Sequence, residues 1–332
     1  MTDLVDRAAA EAAALLHSLT EDRPVLRRSE LVALGITDTT QAAMVRRGLL
    51  TRVRHGVYAS AALIAGADAA ERHRIDAAAA VAASRQPCWA LGSTAALFQS
   101  LPLPFTAPST VRLLRRERQD LRSLTQASRH PLEIPDVEVR ASSHITDADV
   151  EIVRGVASLT RVHAALTAAR EVSSWRKVVL FDALLWQGTD PDDIAAAEQR
   201  WGFLGQGAEV ARALTLARPG AQTPLETLSR LSLMREGLPE PRLQESFHDA
   251  AGLIGVVDMW WPDLGVIGEA DGLLKYGTAE AFPAEKWRED RLRALGLMVV
   301  RWGWEEINAH PELVAERIRR AARVSLRPAR GA

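Results

Sequence analysis

Cysteine is nearly missing from this sequence: Cys88 is the single cysteine in 332 residues. One cysteine excludes a disulfide framework and a cysteine-rich zinc site, and it is typical of a protein in a reducing cytoplasm. No run of eighteen apolar residues occurs, which argues against a membrane-spanning helix. Residues 1–7 show no basic segment followed by an apolar one, so we expect no signal peptide. These absences together predict a cytoplasmic protein.

A net charge of one sign is also missing. The 41 basic and 42 acidic side chains leave a formal charge of −1, so no overall basic field indicates nucleic-acid binding. The hydrophobic content of 47% and the charged content of 25% are those of a globular chain, and 332 residues exceed one ordinary core. We therefore predict a multidomain α/β (α+β) protein in which a nucleic-acid site depends on local charge.

The segment 24–59 has the pattern of two helices and a hairpin. Ser29 can cap a short helix that a glycine at 35 stops. Thr37 or Thr39 can cap a second helix, which the glycine at 48 stops. Residues 49–58 then alternate as a β-hairpin with its turn at Arg54-His55-Gly56. This order predicts a winged helix-turn-helix.

Positive charge is concentrated in the same segment. Between Arg23 and Ala59, seven arginines face two acids, a surplus of five positive charges. With the second helix in the major groove, these arginines would lie near phosphates of DNA. The DNA-binding residues that we predict are Arg46, Arg47, Arg52, Arg54 and His55. A small helical domain whose arginines are merely solvated is the alternative.

The amino-acid sequence of the segment favours DNA binding. The strings Ser-Glu-Leu-Val-Ala-Leu-Gly-Ile at 29–36 and Val-Arg-Arg-Gly-Leu-Leu-Thr-Arg-Val-Arg-His-Gly-Val-Tyr at 45–58 resemble the N-terminal winged helix of AbiEi-type antitoxins. These antitoxins are the regulators of type IV toxin–antitoxin systems. The resemblance implies binding to DNA, often at the protein's own promoter, with a cognate toxin as genetic partner.

The middle of the chain carries little chemistry. His130, His144 and His163 lack metal-ligand spacing, so we expect ordinary structural or surface histidines. The Pro219-Gly220 break is the best linker candidate. We accordingly predict three domains: a winged helix over 1–60, a helical and mixed α/β middle region over 61–218, and a C-terminal domain over 221–326.

A predicted β-hairpin in the C-terminal part brings acids together. Two apolar runs flank the turn-forming residues 262–265, which would place Trp261 opposite Val266 and Asp258 opposite Glu269. Opposed Cβ atoms lie about 4.5–5.5 Å apart, and two carboxylates at that distance repel unless a cation or a proton lies between them. Alternation along the strand adds Asp271 to the same face. These acids therefore predict a site for a hard divalent metal. A pair of exposed acids on an edge hairpin is the alternative.

A helix precedes this hairpin. Thr223 can act as its N-cap, with proline at the first helical position and Glu226 complementing the helix dipole. Glu226 and Arg230 lie one turn apart, so a surface ion pair between them is the simplest role for both. A helix over 283–295, a strand over 297–302 and a final helix over 311–324 are predicted to follow the hairpin.

The order helix, β-hairpin, helix, strand, helix, with acids on the hairpin, resembles the PD-(D/E)xK, restriction-endonuclease-like superfamily. Within it, residues 220–325 look like the small branch similar to very-short-patch-repair endonucleases. The residues and motifs that carry the resemblance are Thr223-Pro-Leu-Glu226, Arg230, Gly237-Leu-Pro-x-Pro241-x-x-Gln244, Val257-Asp258, Glu269-x-Asp271-Gly272, Lys275-Tyr276 and the closing Leu295-Gly-x-x-Val-Val-Arg301. The chain departs from the superfamily's Glu-x-Lys, because Asp271 stands where lysine is usual and the lysine is displaced to position 275.

This resemblance implies hydrolysis of DNA phosphodiester bonds with Mg²⁺. Asp258 and Glu269 would hold the metal, and Asp271 would bind a second metal or position the attacking water. Lys275 would orient that water or offset charge on the phosphate, and Glu226 could reach the metal from its helix. The predicted catalytic residues are Glu226, Asp258, Glu269, Asp271 and Lys275.

Three functions therefore stay open. The first is a Mg²⁺-dependent DNA endonuclease or nickase guided by the winged helix. The second is a non-catalytic transcriptional regulator or antitoxin of a type IV toxin–antitoxin or phage-defence system. The third is an assembly module in which C-terminal tryptophans pack against a partner, although such tryptophans are more often core residues. Those tryptophans are Trp260, Trp261, Trp287, Trp302 and Trp304.

Overall fold

The chain folds into two compact units in a computed structural model. One unit comprises residues 1–173 and 191–210, and the other comprises residues 174–190 and 211–332. The residues that the structure describes are 23–103, 108–116, 137–172, 175–201, 205–271 and 281–325, with the side chains of 281–285 left aside. The predicted mixed α/β class is confirmed, since each unit contains both helices and β-sheet. The division into three domains stays a prediction.

The first unit begins with a winged helix. Its elements are β1 (Leu26–Arg27), α1 (Arg28–Ala33), α2 (Asp38–Arg46), β2 (Leu50–Arg54) and β3 (Val57–Ser60). The three strands form an antiparallel sheet in the order β1-β3-β2. Side chains from both helices, the turn between them and the sheet share one small core, which consists of Leu26, Leu31, Ile36, Met44 and Leu50. The predicted winged helix is therefore confirmed.

Of the two N-caps predicted for the winged helix, one is confirmed and the other is wrong. Thr37 Oγ1 accepts a hydrogen bond from the Thr40 N–H at 3.3 Å, so Thr37 is the cap of α2. The predicted Ser29 cap is wrong, because α1 begins one residue before Ser29 and Arg27 is its N-cap. The Arg27 N–H donates to Glu30 Oε2 at 2.7 Å, so the glutamate carboxylate satisfies a donor at the start of α1.

The rest of the first unit up to residue 169 surrounds a five-stranded mixed sheet. The helices are α3 (Ala61–Gly66), α4 (Ala69–Ala83), α5 (Gly92–Phe98) and α6 (Arg161–Ala169). The strands are β4 (Cys88–Ala90), β5 (Val111–Arg116), β6 (Val137–Ser142), β7 (Val150–Val153) and β8 (Val156–Leu159). Their order is β6-β5-β4-β8-β7. Four consecutive alanines of α4, residues 77–80, are buried, which lets the helix approach its neighbours closely.

The chain then passes between the units. α7 (Trp175–Trp186) belongs to the second unit, and α8 (Pro191–Trp201) returns to the first. α9 (Gly207–Leu216) starts in the first unit and ends in the second. The second unit therefore includes α7, which ends more than thirty positions before the predicted linker at residues 219–220.

The second unit is built on a four-stranded sheet. Its helices are α10 (Pro224–Arg235), α11 (Ala281–Ala294), α12 (Trp304–Ala309) and α13 (Pro311–Ser325). Its strands are β9 (Arg242–Asp249), β10 (Gly252–Trp261), β11 (Val266–Ala270) and β12 (Met298–Trp302). The order is β12-β11-β10-β9, with β11 and β12 parallel and the other pairs antiparallel. The sequence order that we predicted lacks β9, which pairs along most of β10.

Two of the five C-terminal tryptophans lie in the core of this unit. Trp261 is 1% exposed and Trp302 is 2% exposed. The Trp261 Nε1–H donates to the Pro239 carbonyl and the Trp302 Nε1–H donates to Ser229 Oγ, each at 2.8 Å. Both indoles are thus packed with a satisfied N–H, as expected for core residues.

None of the helices in the described ranges has the length and apolar composition needed to cross a membrane.

Candidate nucleic-acid interface and acidic cluster

The winged helix neutralises its own acids. Glu30 forms an ion pair with Arg23. Asp38, at the start of α2, accepts a hydrogen bond from Arg28 Nε at 2.7 Å and a second from the same guanidinium. With two of the seven arginines used in this way, the surplus of five positive charges is carried by the remaining ones. These are Arg27, Arg46, Arg47, Arg52 and Arg54.

The predicted DNA-binding residues lie on two elements of this module. Arg46 is the last residue of α2 and Arg47 is its C-cap, and both are exposed. Arg52 lies on β2 and contacts Nδ1 of His55 in the turn that follows, so the structure brings these two exposed residues together. Arg54 ends β2 and is partly buried. All five residues therefore belong to the end of the second helix or to the wing, where phosphate contacts are expected.

The hairpin of the second unit has the predicted register. Trp261 pairs with Val266, and the chain between them is a short 3₁₀ turn, Pro262–Leu264, followed by Gly265 at φ 61°. Continuing this register places Asp258 beside Glu269. Asp258 Oδ2 accepts a hydrogen bond from the Ala270 N–H at 2.9 Å, which holds the carboxylate against β11.

The Asp258 carboxyl is unusually hard to ionise. Its pKa is raised to about 6, first because the group is buried, and further because the charges of Glu226, Glu269 and Asp271 repel it. The hydrogen bond from the Ala270 N–H acts in the opposite direction. The other three predicted carboxylates therefore lie close enough to Asp258 to influence its ionisation.

Glu226 is fixed by hydrogen bonds at the start of α10. It accepts from the Gln222 N–H at 2.8 Å, from the Thr223 hydroxyl at 2.9 Å and from Gln244 Nε2 at 3.3 Å. Burial raises the pKa of Glu226, and these hydrogen bonds oppose the shift. Gln244 reaches it from β9 at a φ of 53°, a backbone conformation that is uncommon for residues other than glycine.

The predicted surface pair between Glu226 and Arg230 is wrong. Arg230 is fully buried and pairs with Asp182 of α7, with Nη2 to Oδ2 at 3.1 Å. Arg230 turns to the interior because a buried carboxylate on another helix is available there, whereas Glu226 is held at the helix N-terminus. Glu226 and Arg230 therefore have different partners inside the second unit.

Glu269 is held between two arginines. Its side chain accepts a hydrogen bond from Arg301 Nε on β12 at 3.0 Å. Arg288 Nη1 on α11 lies 2.7 Å from Glu269 Oε1, an ion-pair contact without hydrogen-bond angles. Arg301 also lies 3.6 Å from Asp271 Oδ2 and donates to Glu289 Oε2 at 2.6 Å. Although burial lowers the pKa of Arg301, its contacts with Glu289 and Glu269 raise it above its usual value overall.

This arrangement does not fit a divalent metal. Oxygen ligands of the type that Mg²⁺ prefers are present, but both oxygens of Glu269 face guanidinium groups. Within the described ranges, no group of three or more His, Cys, Asp or Glu side chains is placed to hold a metal ion. Lys275 lies outside the described residues. Catalysis by the five predicted residues therefore stays a prediction.

The two arginines that contact Glu269, Arg288 and Arg301, were not predicted to belong to this site. Arg301 stands opposite Glu269 in the parallel pairing of β12 with β11. An arginine in the apolar run Leu297-Met-Val-Val-Arg301-Trp302 is a signal for a charged partner on the neighbouring strand. Arg288 is one of several charged residues on α11, and its sequence context does not distinguish it from them.

Comparison with known proteins bears on the N-terminal part. A family model described as a transcriptional regulator, AbiEi antitoxin, matches residues 15–61, the segment that holds the winged helix. Two Mycobacterium tuberculosis proteins are similar to part of the chain: uncharacterized protein Rv2248 of strain ATCC 25618 / H37Rv and uncharacterized protein MT2308 of strain CDC 1551 / Oshkosh. Each is 28% identical over 177 residues, which is 52% of this chain and 64% of the relative. The chain thus spans less than two thirds of these relatives' length.

Proposed function

We propose that this protein is a DNA-binding transcriptional regulator of the AbiEi antitoxin type. The observation that carries the proposal is a winged helix with seven arginines against two acids, in which Arg46 and Arg47 lie at the end of the second helix and Arg52 and Arg54 lie on the wing. The family match over residues 15–61 supports it. Phosphate contacts from such a surface supply affinity and position the second helix in the major groove.

Salt-dependent binding to DNA tests this proposal. The full-length protein is titrated onto duplex DNA from upstream of its own operon, between 50 and 200 mM salt. We expect the double variant Arg46→Ala with Arg47→Ala to bind about tenfold more weakly or worse, and the slope of log K against log salt to fall by about 2. The loss follows from removing two predicted phosphate contacts.

A matched control removes two exposed arginines elsewhere, Arg320 and Arg323 of α13, also by alanine substitution. This variant and Glu269→Ala are expected to bind DNA as the wild type does. Equal losses in both double variants, or binding that does not respond to salt, would contradict the assignment of DNA binding to the winged helix.

A cognate toxin is the partner that the antitoxin type implies. If the protein regulates a toxin–antitoxin or phage-defence operon, a gene for a nucleotidyltransferase-like toxin should stand next to its own. Co-expression should then restore growth of cells that produce the toxin. Toxicity that persists with this protein present at equal or higher levels would remove the antitoxin role and leave transcriptional regulation.

Cleavage of DNA is the second candidate. The observations that favour it are the hairpin register, which places Asp258 beside Glu269, and the charges of Glu226, Glu269 and Asp271, which raise the pKa of Asp258. It ranks second because arginines already neutralise Glu269. Supercoiled plasmid incubated with the protein and Mg²⁺ tests it. Nicking by the wild type that Asp258→Ala abolishes would raise this candidate to first place.

A further inference from the structure

Glu269 is the most informative side chain that the proposed DNA binding leaves unexplained. It is 5% exposed, and the carboxylate therefore lies largely out of water. An ionised carboxylate in such a place needs a positive partner, because desolvation otherwise costs several kcal/mol. The cations within reach are Arg288 on one side and Arg301 on the other, at 2.7 and 3.0 Å.

Each arginine is itself fixed by further contacts. Arg301 spans three acids, since it also donates to Glu289 and lies near Asp271. Arg288 donates to the Val256 carbonyl at 2.8 Å, just after the bulge of β10 between Leu253 and Gly255. A Cβ atom on Gly255 would lie only 2.7 Å from Arg288 Nε, so the absence of a side chain at 255 makes room for this arginine. The two guanidinium groups are therefore built into the fold around Glu269.

We propose that Arg288 and Arg301 are intramolecular counter-ions of Glu269, and that arginine takes the place of a divalent cation on this acidic face. A metal ion of the Mg²⁺ class would have to displace two charge-assisted contacts to reach the Glu269 oxygens. The positive charge of both groups would also repel it at close range. This inference concerns the second unit alone and does not depend on DNA binding by the winged helix.

Metal titration of the full-length protein tests the inference, with Mn²⁺ as the probe and calorimetry as the readout. Arg301→Gln removes one counter-ion and keeps a hydrogen-bonding side chain. We expect it to bind Mn²⁺ at least about tenfold more tightly than the wild type does, a change of about 1.4 kcal/mol. The gain should vanish in Arg301→Gln combined with Glu269→Gln, because the carboxylate would then be absent.

The control is Arg320→Gln, which removes an arginine from an exposed ion pair with Glu316 and should leave Mn²⁺ binding at the wild-type level. Two results would overturn the inference. One is tight Mn²⁺ binding by the wild type that Glu269→Gln abolishes. The other is an Arg301→Gln variant that folds and binds no more tightly than the wild type.

Thermal unfolding of Glu269→Gln gives an independent readout if Arg301→Gln does not fold. The counter-ion arrangement predicts that this variant lowers the Tm by about 5 °C or more without any metal present, because two partly buried arginines each lose one of their charge partners. A vacant metal site predicts an unchanged or higher Tm, because the substitution relieves repulsion with Asp258. An unchanged or higher Tm would therefore refute the inference.

Discussion

A buried charge cluster in the first unit joins Asp149, His163 and Arg200. Arg200 donates to both oxygens of Asp149, and Asp149 is fully buried. His163 Nε2 lies 3.2 Å from Asp149 Oδ1, and its Nδ1 lies 2.7 Å from the Thr160 hydroxyl. The pKa of His163 is lowered to about 4, first by burial and also by the charge of Arg200, against the opposing effect of Asp149. The predicted structural role of this histidine agrees with these contacts.

This lowered pKa makes part of the stability depend on pH. His163 stays neutral in the folded chain while it gains a proton in the unfolded chain near pH 6.5. Its contribution is therefore complete above pH 6.5 and is lost as the pH falls toward 4. We expect His163→Gln to remove about 2 kcal/mol of the stability difference between pH 7.5 and pH 5, measured by urea unfolding.

The exposed residue His310 provides the comparison for this experiment. His310→Gln should keep the wild-type pH dependence over the same range. If His163→Gln keeps it as well, the acid sensitivity arises from other groups and the assignment to His163 is wrong.

Among the elements, β11 shows how closely the strands and helices of the second unit are packed. A Cβ atom on Gly268 would lie 2.5 Å from Trp302 Cη2 and 2.8 Å from Trp261 Cζ3. Both indoles are buried and held by their N–H hydrogen bonds, so neither ring can move away cheaply. Only glycine fits at this position of the strand.

Gly268→Ala is therefore expected to destabilise the protein by about 1–3 kcal/mol, the usual cost of overpacking a core. Guanidinium unfolding followed by tryptophan fluorescence measures the change. Gly207→Ala is the matched substitution, because the nearest atom to its Cβ would be Glu198 Oε1 at 3.6 Å, an ordinary contact. Similar effects at the two positions would show that the two indoles are free to shift.

At the scale of the whole molecule, the chain enters the second unit before it has finished the first. The ion pair of Asp182 with Arg230 joins α7 to α10 across 48 positions of sequence. Thr227 also donates to Asp182 Oδ2, at 2.7 Å. Because Arg230 is fully buried, α7 supplies the charge partner that its interior position requires.

We expect Asp182→Leu to destabilise the second unit by about 3 kcal/mol, since it leaves the buried Arg230 with only a longer contact, 3.5 Å from Nη1 to Glu240 Oε1. Arg230→Met added to Asp182→Leu should recover part of this loss, because no uncompensated charge stays in the core. Thermal or denaturant unfolding of the full chain distinguishes the variants. If the double variant has the same free energy of unfolding as the single variant, or a lower one, the ion pair is not how α7 stabilises the second unit.

Local patterns in the sequence determined the turns, several caps and the strand register. Thr37 caps α2, glycines at 35, 48 and 296 adopt positive φ after helices, and Trp261 pairs with Val266. These features depend on interactions between residues a few positions apart, so a single sequence contains the information that they need. The winged helix and its basic surface were predictable for this reason.

The tertiary structure alone decided which charges meet. Arg230 was expected to pair with Glu226 four positions away, but it pairs with Asp182. Glu269 was expected to hold a metal, and it contacts Arg301, 32 positions away, as well as Arg288. Ion pairs across such distances depend on how helices pack on the sheet and on which carboxylates become buried together. The sequence by itself therefore determined where the acids stand on the hairpin, and folding decided which cations neutralise them.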